Sequence, residues 1–259
     1  STNCNGKGFL KNSPSRRAES DSKYGRIEAR RNQRGYSTMS EIAEIPWDEE
    51  TDVVVLGCGG GGAVAAITAW DTGAKVVIVE KGQGGGNTRL ATMAFVCPMD
   101  NPAAREHIKA LSFDMVSEEI IDAYVNWTSQ NIDYVKQLGG EVESCYPGAS
   151  FAKLPGAETM LRYRVKGKSE GELGGESLWN LLAENLTRRN IPVRVQTSAK
   201  KILRAGDRVV GVTTEKDGHQ QNIRARKGVV LATGGFEYNE ELKREYLAVA
   251  HGRIARDGR

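Results

Sequence analysis

A strand that runs into a glycine cluster, followed one helix later by an acid, constrains this chain more than any other feature. Asp52-Val53-Val54-Val55-Leu56 reads as a buried strand, and Gly57-Cys58-Gly59-Gly60-Gly61-Gly62 is the cluster. Ala63 to Trp70 reads as a helix, Ala74 to Val79 as a second strand, and Glu80 closes the unit. This is the strand–helix–strand context in which such glycines hold a dinucleotide. Gly57 permits the tight turn, Gly59 lets the backbone approach a pyrophosphate, and Gly62 lets the helix pack closely on the strand. The helix N-terminus offers free N–H groups and the positive end of its dipole to phosphates. Glu80 falls at the spacing of a carboxylate that accepts from a ribose hydroxyl.

The rest of the chain narrows the class. At 259 residues it is long for one compact domain and short for two full ones. Its mean hydropathy is -0.47, and no run approaches the ~20 apolar residues of a membrane helix. A net charge of +3 is too small to argue for a nucleic-acid partner. Residues 1–38 carry nine Lys/Arg against three acids (Glu19, Asp21 and Glu28) and show almost no apolar periodicity. We read them as a disordered basic tail or a non-native extension, with Met39 opening a sensible protein start. Residues 39–247 then form the nucleotide-binding domain, and 248–259 an atypical basic tail. Cys4, Cys58, Cys97 and Cys145 show no metal-type or haem-type spacing, so free thiols in a reducing, cytoplasmic setting are expected. His107, His219 and His251 are scattered and read as surface residues.

Beyond Glu80 lies a glycine-dense loop, Lys81 to Thr88. Residues 101–138 look helical, with Ser117–Leu138 as one helix stopped by Gly139-Gly140. Residues 141–175 read as a long loop with room for a hairpin, and Gly175 to Asn190 as a helix with Leu178, Leu181, Leu182 and Leu186 on one face. Val193–Val195 reads as a strand. Ile202–Arg204, Val209–Thr214 and Asn222–Ala225 read as antiparallel strands joined by turns at Ala205-Gly206-Asp207 and Lys216-Asp217-Gly218. A further buried strand, Gly228–Ala232, runs into Thr233-Gly234-Gly235. This second glycine element would bring backbone N–H groups back to the same cofactor, which favours a flavin over a nicotinamide dinucleotide.

These segments resemble the flavoprotein family that includes fumarate reductase and succinate dehydrogenase flavoprotein subunits, 3-oxosteroid dehydrogenases and urocanate reductases. The motifs that carry the resemblance are Val53–Gly62 with Glu80-Lys81, Gly85-Gly86-Asn87-Thr88, and Val230-Leu231-Ala232-Thr233-Gly234-Gly235-Phe236. The resemblance implies an α/β, Rossmann-like FAD-binding domain, with a central parallel sheet and a small antiparallel β-meander. It implies that Gly57, Gly59, Gly60, Gly61 and Gly62 hold the pyrophosphate of FAD, with Ala63 at the helix start. Glu80 and Lys81 would hold the adenosine ribose side, and Ala199 would meet the adenine through its backbone. Gly86, Asn87 and Thr88 would approach the flavin end, with Ala232, Thr233, Gly234 and Gly235 returning to it.

The chain also departs from that family. Ala91, Thr92 and Met93 stand where many relatives carry a Ser-Gly-Gly-like segment. No histidine occupies the position of the covalent flavin link, so FAD is expected to be non-covalent. No haem-binding motif is present, so a separate electron donor or acceptor is expected. The resemblance implies a small-molecule substrate with an activated C=C or C–C bond, and a chain that stops before the family's capping domain. Arg89, Arg162, Tyr163 and Arg164 are polar groups near substrate-side loops, and none is assigned a catalytic role. A non-catalytic nucleotide-binding fragment and an NAD-type Rossmann dehydrogenase stay open as alternatives.

Overall fold

The computed structural model describes residues 45–93, 95–146, 151–167, 169 and 171–247. The expected tails, 1–38 and 248–259, and the Met39 start lie outside the described residues, as do Cys4 and His251.

Strand β1 (Glu49–Leu56), helix α1 (Gly60–Asp71) and strand β2 (Val76–Val79) form the expected βαβ unit. The two strands pair in parallel from Val53↔Val76 to Leu56↔Val79. Both faces of these strands are covered, which is why they read as unbroken apolar runs rather than alternating ones. Val55 and Ile78 face one core, shared with Ala63, Ala66 and Ile67 of α1 and with Leu182 and Leu186 of helix α6 (Gly174–Arg188). Val54, Leu56, Val77 and Val79 face the other, shared with Val212, Ile223 and Ala225.

The main sheet has six strands. Beyond β2 lies the two-residue β6 (Val193–Arg194), in parallel register with Ile78 and Val79. On the other side of β1 come β9 (His219–Leu231), β8 (Arg208–Lys216) and β7 (Ser198–Ala205), giving the order β6-β2-β1-β9-β8-β7. The segments Asn222–Ala225 and Gly228–Leu231, expected as separate strands, are one strand of 13 residues. Its first part pairs antiparallel with β8, from Lys216↔His219 to Gly211↔Arg224. On its other edge it pairs in parallel with β1, from Glu49↔Ile223 to Thr51↔Ala225 and, after a register shift, from Val53↔Gly228 to Leu56↔Leu231. The meander and the parallel core are therefore one continuous sheet. At its base the buried Asp52 accepts from Lys75 N–H at 2.9 Å and from Arg226 Nε at 2.9 Å. The backbone bond first, and then the guanidinium, hold its carboxyl below the usual carboxylate range despite burial.

Two stretches differ from the sequence reading. Residues 101–138 are three helices, α3 (Asn101–Leu111), α4 (Glu118–Thr128) and α5 (Asn131–Gln137). The first break falls where Phe113 and Asp114 take φ of 50° and 56°, a left-handed excursion that no glycine announces. Lys109 Nζ bridges the break to Glu118 at 2.7 Å. The hairpin expected within residues 141–175 is the antiparallel pair β4 (Val142–Tyr146) and β5 (Met160–Val165). Strand β5 also pairs with β3 (Phe95–Pro98), which makes a separate antiparallel sheet of order β3-β5-β4 that the sequence reading lacks. Phe95 and Tyr163 stack across it at 6.0 Å. His107 is not a surface residue: it is 2% exposed on α3, with Nδ1 3.0 Å from the Pro155 carbonyl oxygen. His219 is exposed. Among the described residues no helix is long and apolar enough to cross a membrane, and Cys58, Cys97 and Cys145 are free thiols.

Candidate functional site

Three backbone segments meet at the C-terminal ends of β1, β2 and β9. Parallel pairing aligns these ends, and the crevice beyond them is where open α/β sheets bind ligands. The first segment is Gly57–Gly62. Gly57 has φ +99°, and a Cβ there would stand 2.4 Å from the Ala232 carbonyl oxygen. A Cβ on Gly62 would stand 1.9 Å from the Gly57 carbonyl oxygen. These two positions admit no side chain, and both consequences match the roles read from spacing.

Helix α1 begins without a side-chain cap on Gly59 and with no acid in its first turn. Its positive end is thus left uncompensated. Gly60 N–H donates to Thr88 Oγ1 at 2.9 Å, and Ala63 N–H to the Gly59 carbonyl at 2.9 Å. A Cβ on Gly61 would meet nothing within 4 Å. The exposed backbone at Gly61 therefore fits an anion, and the cradle fits a pyrophosphate. Ala63 itself is fully buried with its N–H engaged, so it belongs to the packing of the unit.

The second segment begins at Glu80. Its Oε2 accepts from Cys58 N–H at 2.7 Å and its Oε1 from Gly82 N–H at 2.6 Å. A carboxylate has about four lone-pair positions, so two remain for ribose hydroxyls. Lys81 is exposed beside it. Thr197 N–H donates to the Glu80 carbonyl at 2.9 Å and Gln196 N–H to Gly82 at 3.0 Å. These bonds place the start of β7, with the exposed Ala199, alongside the acid. Further on, Gly85 N–H donates to the Cys58 carbonyl at 2.7 Å. The short helix α2 (Gly86–Leu90) then carries Gly86, Asn87 and Thr88 to the edge of the cradle. Ala91 and Thr92, the positions that depart from the family pattern, accept through their carbonyls from Gly175 N–H at 2.9 Å and Gly174 N–H at 3.2 Å.

The third segment is Ala232–Gly235. Ala232 N–H continues the ladder to Leu56 at 2.9 Å, and Thr233, Gly234 and Gly235 are exposed. Tyr238 Oη donates to Asn87 Oδ1 at 2.8 Å and ties this segment to α2.

Of the residues expected to hold the cofactor, Ala63 faces inward and Ala199 reaches the site through Glu80, while Arg162, Tyr163 and Arg164 lie on β5 of the small sheet. Arg89 is exposed on α2, whereas Arg164 lies on the small sheet, bonded to Glu143 at 2.6 Å. Cys58, in the loop where the geometry asks only for a small residue, has its N–H and carbonyl both engaged, and its buried thiol is pushed up to about 12 by desolvation and then by Glu80. Sequence reasoning passed over Tyr238 and Trp179, for which no local pattern gives a signal.

A family model described as "FAD binding domain" matches residues 52–254. The chain is 32% identical over 202 residues to an NADH:fumarate oxidoreductase of Klebsiella pneumoniae (strain 342), covering 75% of this chain and 21% of that protein. It is 24% identical over 281 residues to a 3-oxosteroid 1-dehydrogenase of Comamonas testosteroni, covering 77% and 49%. Among solved structures, a 3-ketosteroid delta1-dehydrogenase from Sterolibacterium denitrificans superposes with a TM-score of 0.69 at 21% identity, over 76% of this chain and 50% of that one. The chain spans about half the length, or less, of these relatives.

Proposed function

Because the chain belongs to the family of FAD binding domains, we propose that it serves an oxidoreductase that reduces or desaturates a C–C bond beside a carbonyl or carboxylate. Its cofactor is FAD. One observation carries the reading: a side-chain-free shelf at the N-terminus of α1, closed by Glu80, with a second glycine segment arriving from β9.

The residues divide the work along the shelf. Gly57, Gly59, Gly60 and Gly61 present backbone to the pyrophosphate, and the dipole of α1 offsets its charge. Glu80 accepts from the ribose, Lys81 stands beside it, and Ala199 offers backbone to the adenine side. Gly86, Asn87 and Thr88 on one flank and Ala232, Thr233, Gly234 and Gly235 on the other bound the flavin end, held without a covalent link. Bound FAD supplies the redox chemistry, and the protein supplies orientation and charge.

The substrate class follows from what the similar proteins share by name. Fumarate carries its C=C bond between two carboxylates, and a 3-oxosteroid carries a C–C bond beside its carbonyl. Electrons would pass through a separate donor or acceptor.

The test begins with an absorbance spectrum of the purified chain after FAD addition and removal of unbound cofactor. Retained flavin bands, lost on Glu80→Ala, are the expected result. The reduced protein is then mixed anaerobically with fumarate or with a 3-oxosteroid unsaturated at the ring bond. Reoxidation by either supports the activated C=C class. Retained flavin that neither compound reoxidises would overturn the substrate reading and leave the cofactor reading standing.

A further inference from the structure

Trp179 lies on α6, and its indole rests against the backbone of Gly84 and Gly85. A Cβ on Gly84 would stand 3.0 Å from the indole Cζ2 and 3.2 Å from Cη2, and one on Gly85 3.3 Å from Nε1. Both glycines have positive φ, +92° and +91°, so this loop has a shape that side chains rarely take. Behind the indole is the core that holds α1, β1 and α6 together. The ring is therefore a wedge between a packed interior and a loop with no side chains of its own.

Gly85 reaches the phosphate cradle through its N–H, which donates to the Cys58 carbonyl at 2.7 Å. The Cys58–Gly59 peptide is planar and trans, so its C=O and its N–H point in opposite directions. Engaging the carbonyl with Gly85 turns Gly59 N–H away from that loop. The preceding peptide is held in the same way from Glu80, which accepts Cys58 N–H. Both peptide planes of the tight turn are thus set by partners outside it.

We propose that Trp179 is a positioning residue for the FAD site. By holding Gly84–Gly85 against the Cys58 carbonyl, it fixes the Cys58–Gly59 peptide plane and with it the N–H that Gly59 offers to the pyrophosphate. The inference rests on FAD binding at this shelf. Without the indole, the loop relaxes into the vacated volume and the bond to Cys58 lengthens. The peptide then rotates, and a rotated peptide presents a carbonyl oxygen to an anion instead of a donor.

The experiment titrates the full chain and its Trp179→Ala, Trp179→Leu and Trp179→Phe variants with FAD, with ADP and with adenosine, alongside thermal midpoints without ligand. Trp179→Ala and Trp179→Leu should weaken FAD and ADP by about tenfold, the worth of one hydrogen bond to a charged group. Adenosine, which lacks phosphates, should bind unchanged, and Trp179→Phe, which keeps a flat ring, should behave as the parent. Trp179→Leu keeps an apolar side chain in the core and so serves where Trp179→Ala fails to fold. Unchanged FAD binding in both variants would overturn the inference. So would a loss shared equally by adenosine and tracking the thermal midpoint, which is how a purely structural residue behaves. Failure of the parent chain to bind FAD would remove the premise, and the parent titration alone reads that out.

Discussion

The Glu80 carboxylate accepts the Cys58 N–H at 2.7 Å, so the acid that ends the first βαβ unit is bonded to the loop that begins its helix. Its second oxygen accepts Gly82 N–H at 2.6 Å. Glu80→Gln keeps the shape but turns an amide NH2 toward one of these two backbone donors. The variant should lose about 1–3 kcal/mol of interaction, the cost of leaving a donor unmatched. FAD affinity should fall about tenfold or more in an equilibrium titration, with a modest drop in thermal midpoint. An affinity equal to the parent's would show that the acid serves only the turn.

Gly61 and Gly62 are neighbours with opposite tolerances. A Cβ on Gly62 would lie 1.9 Å from the Gly57 carbonyl oxygen, whereas one on Gly61 would meet nothing within 4 Å. Gly62→Ala forces the helix off the strand and should cost roughly 1–3 kcal/mol or more, several degrees of thermal midpoint. Gly61→Ala should leave the midpoint unchanged or raise it by up to about 1 kcal/mol of stability, since alanine favours helix. Its methyl group nevertheless stands over the exposed end of α1, so FAD retention should fall. Calorimetry and flavin absorbance on the same two variants separate the effects.

Burial, and then Glu80, push the Cys58 thiol up to about 12. The folded state therefore holds this proton more tightly than the unfolded chain, whose thiol titrates near about 8.5. The associated stability is fully present below that value and drains away as pH rises toward 12. Urea midpoints measured from about pH 8 to about pH 10 should fall with pH, and Cys58→Ala should flatten part of that slope. At neutral pH the 1% exposed thiol should resist iodoacetamide while the half-buried Cys145 reacts.

The βαβ unit was legible because glycine spacing and a strand buried on both faces leave few other folds. The convergence of Gly57–Gly62, Glu80, Asn87, Thr88 and Thr233–Gly235 followed from parallel strands ending on one side. The second sheet was not legible. Strand β3 has four residues, and β5 alternates arginines with Leu161 and Tyr163, a pattern equally at home in a loop. The break at Phe113–Asp114 carries no glycine or proline. Gly228 reads as a strand start because glycine weakens strands, yet β9 continues across a register shift against β1 that falls just before it. Trp179 acts across a tertiary contact, and its place on α6 marks it only as a half-buried aromatic.

Tyr238 and Asn87 close a ring around the phosphate loop. On one side α2 touches the cradle through Thr88 and Gly60, and on the other Gly57 abuts Ala232. The Tyr238–Asn87 bond at 2.8 Å joins those two flanks across their outer ends. Both side chains are exposed, so the bond is worth about 0.5–1.5 kcal/mol and contributes little to the folded state. Its position matters more than its strength, because it bridges the two flanks between which the proposed site would seat the flavin. Tyr238→Phe removes the donor and keeps the ring. The variant should show an unchanged thermal midpoint without ligand and faster FAD release, by about two- to tenfold when measured by dilution and flavin fluorescence. Association should quicken as well, leaving affinity less affected than either rate. A release rate equal to the parent's would mean that the two flanks move independently of this bond.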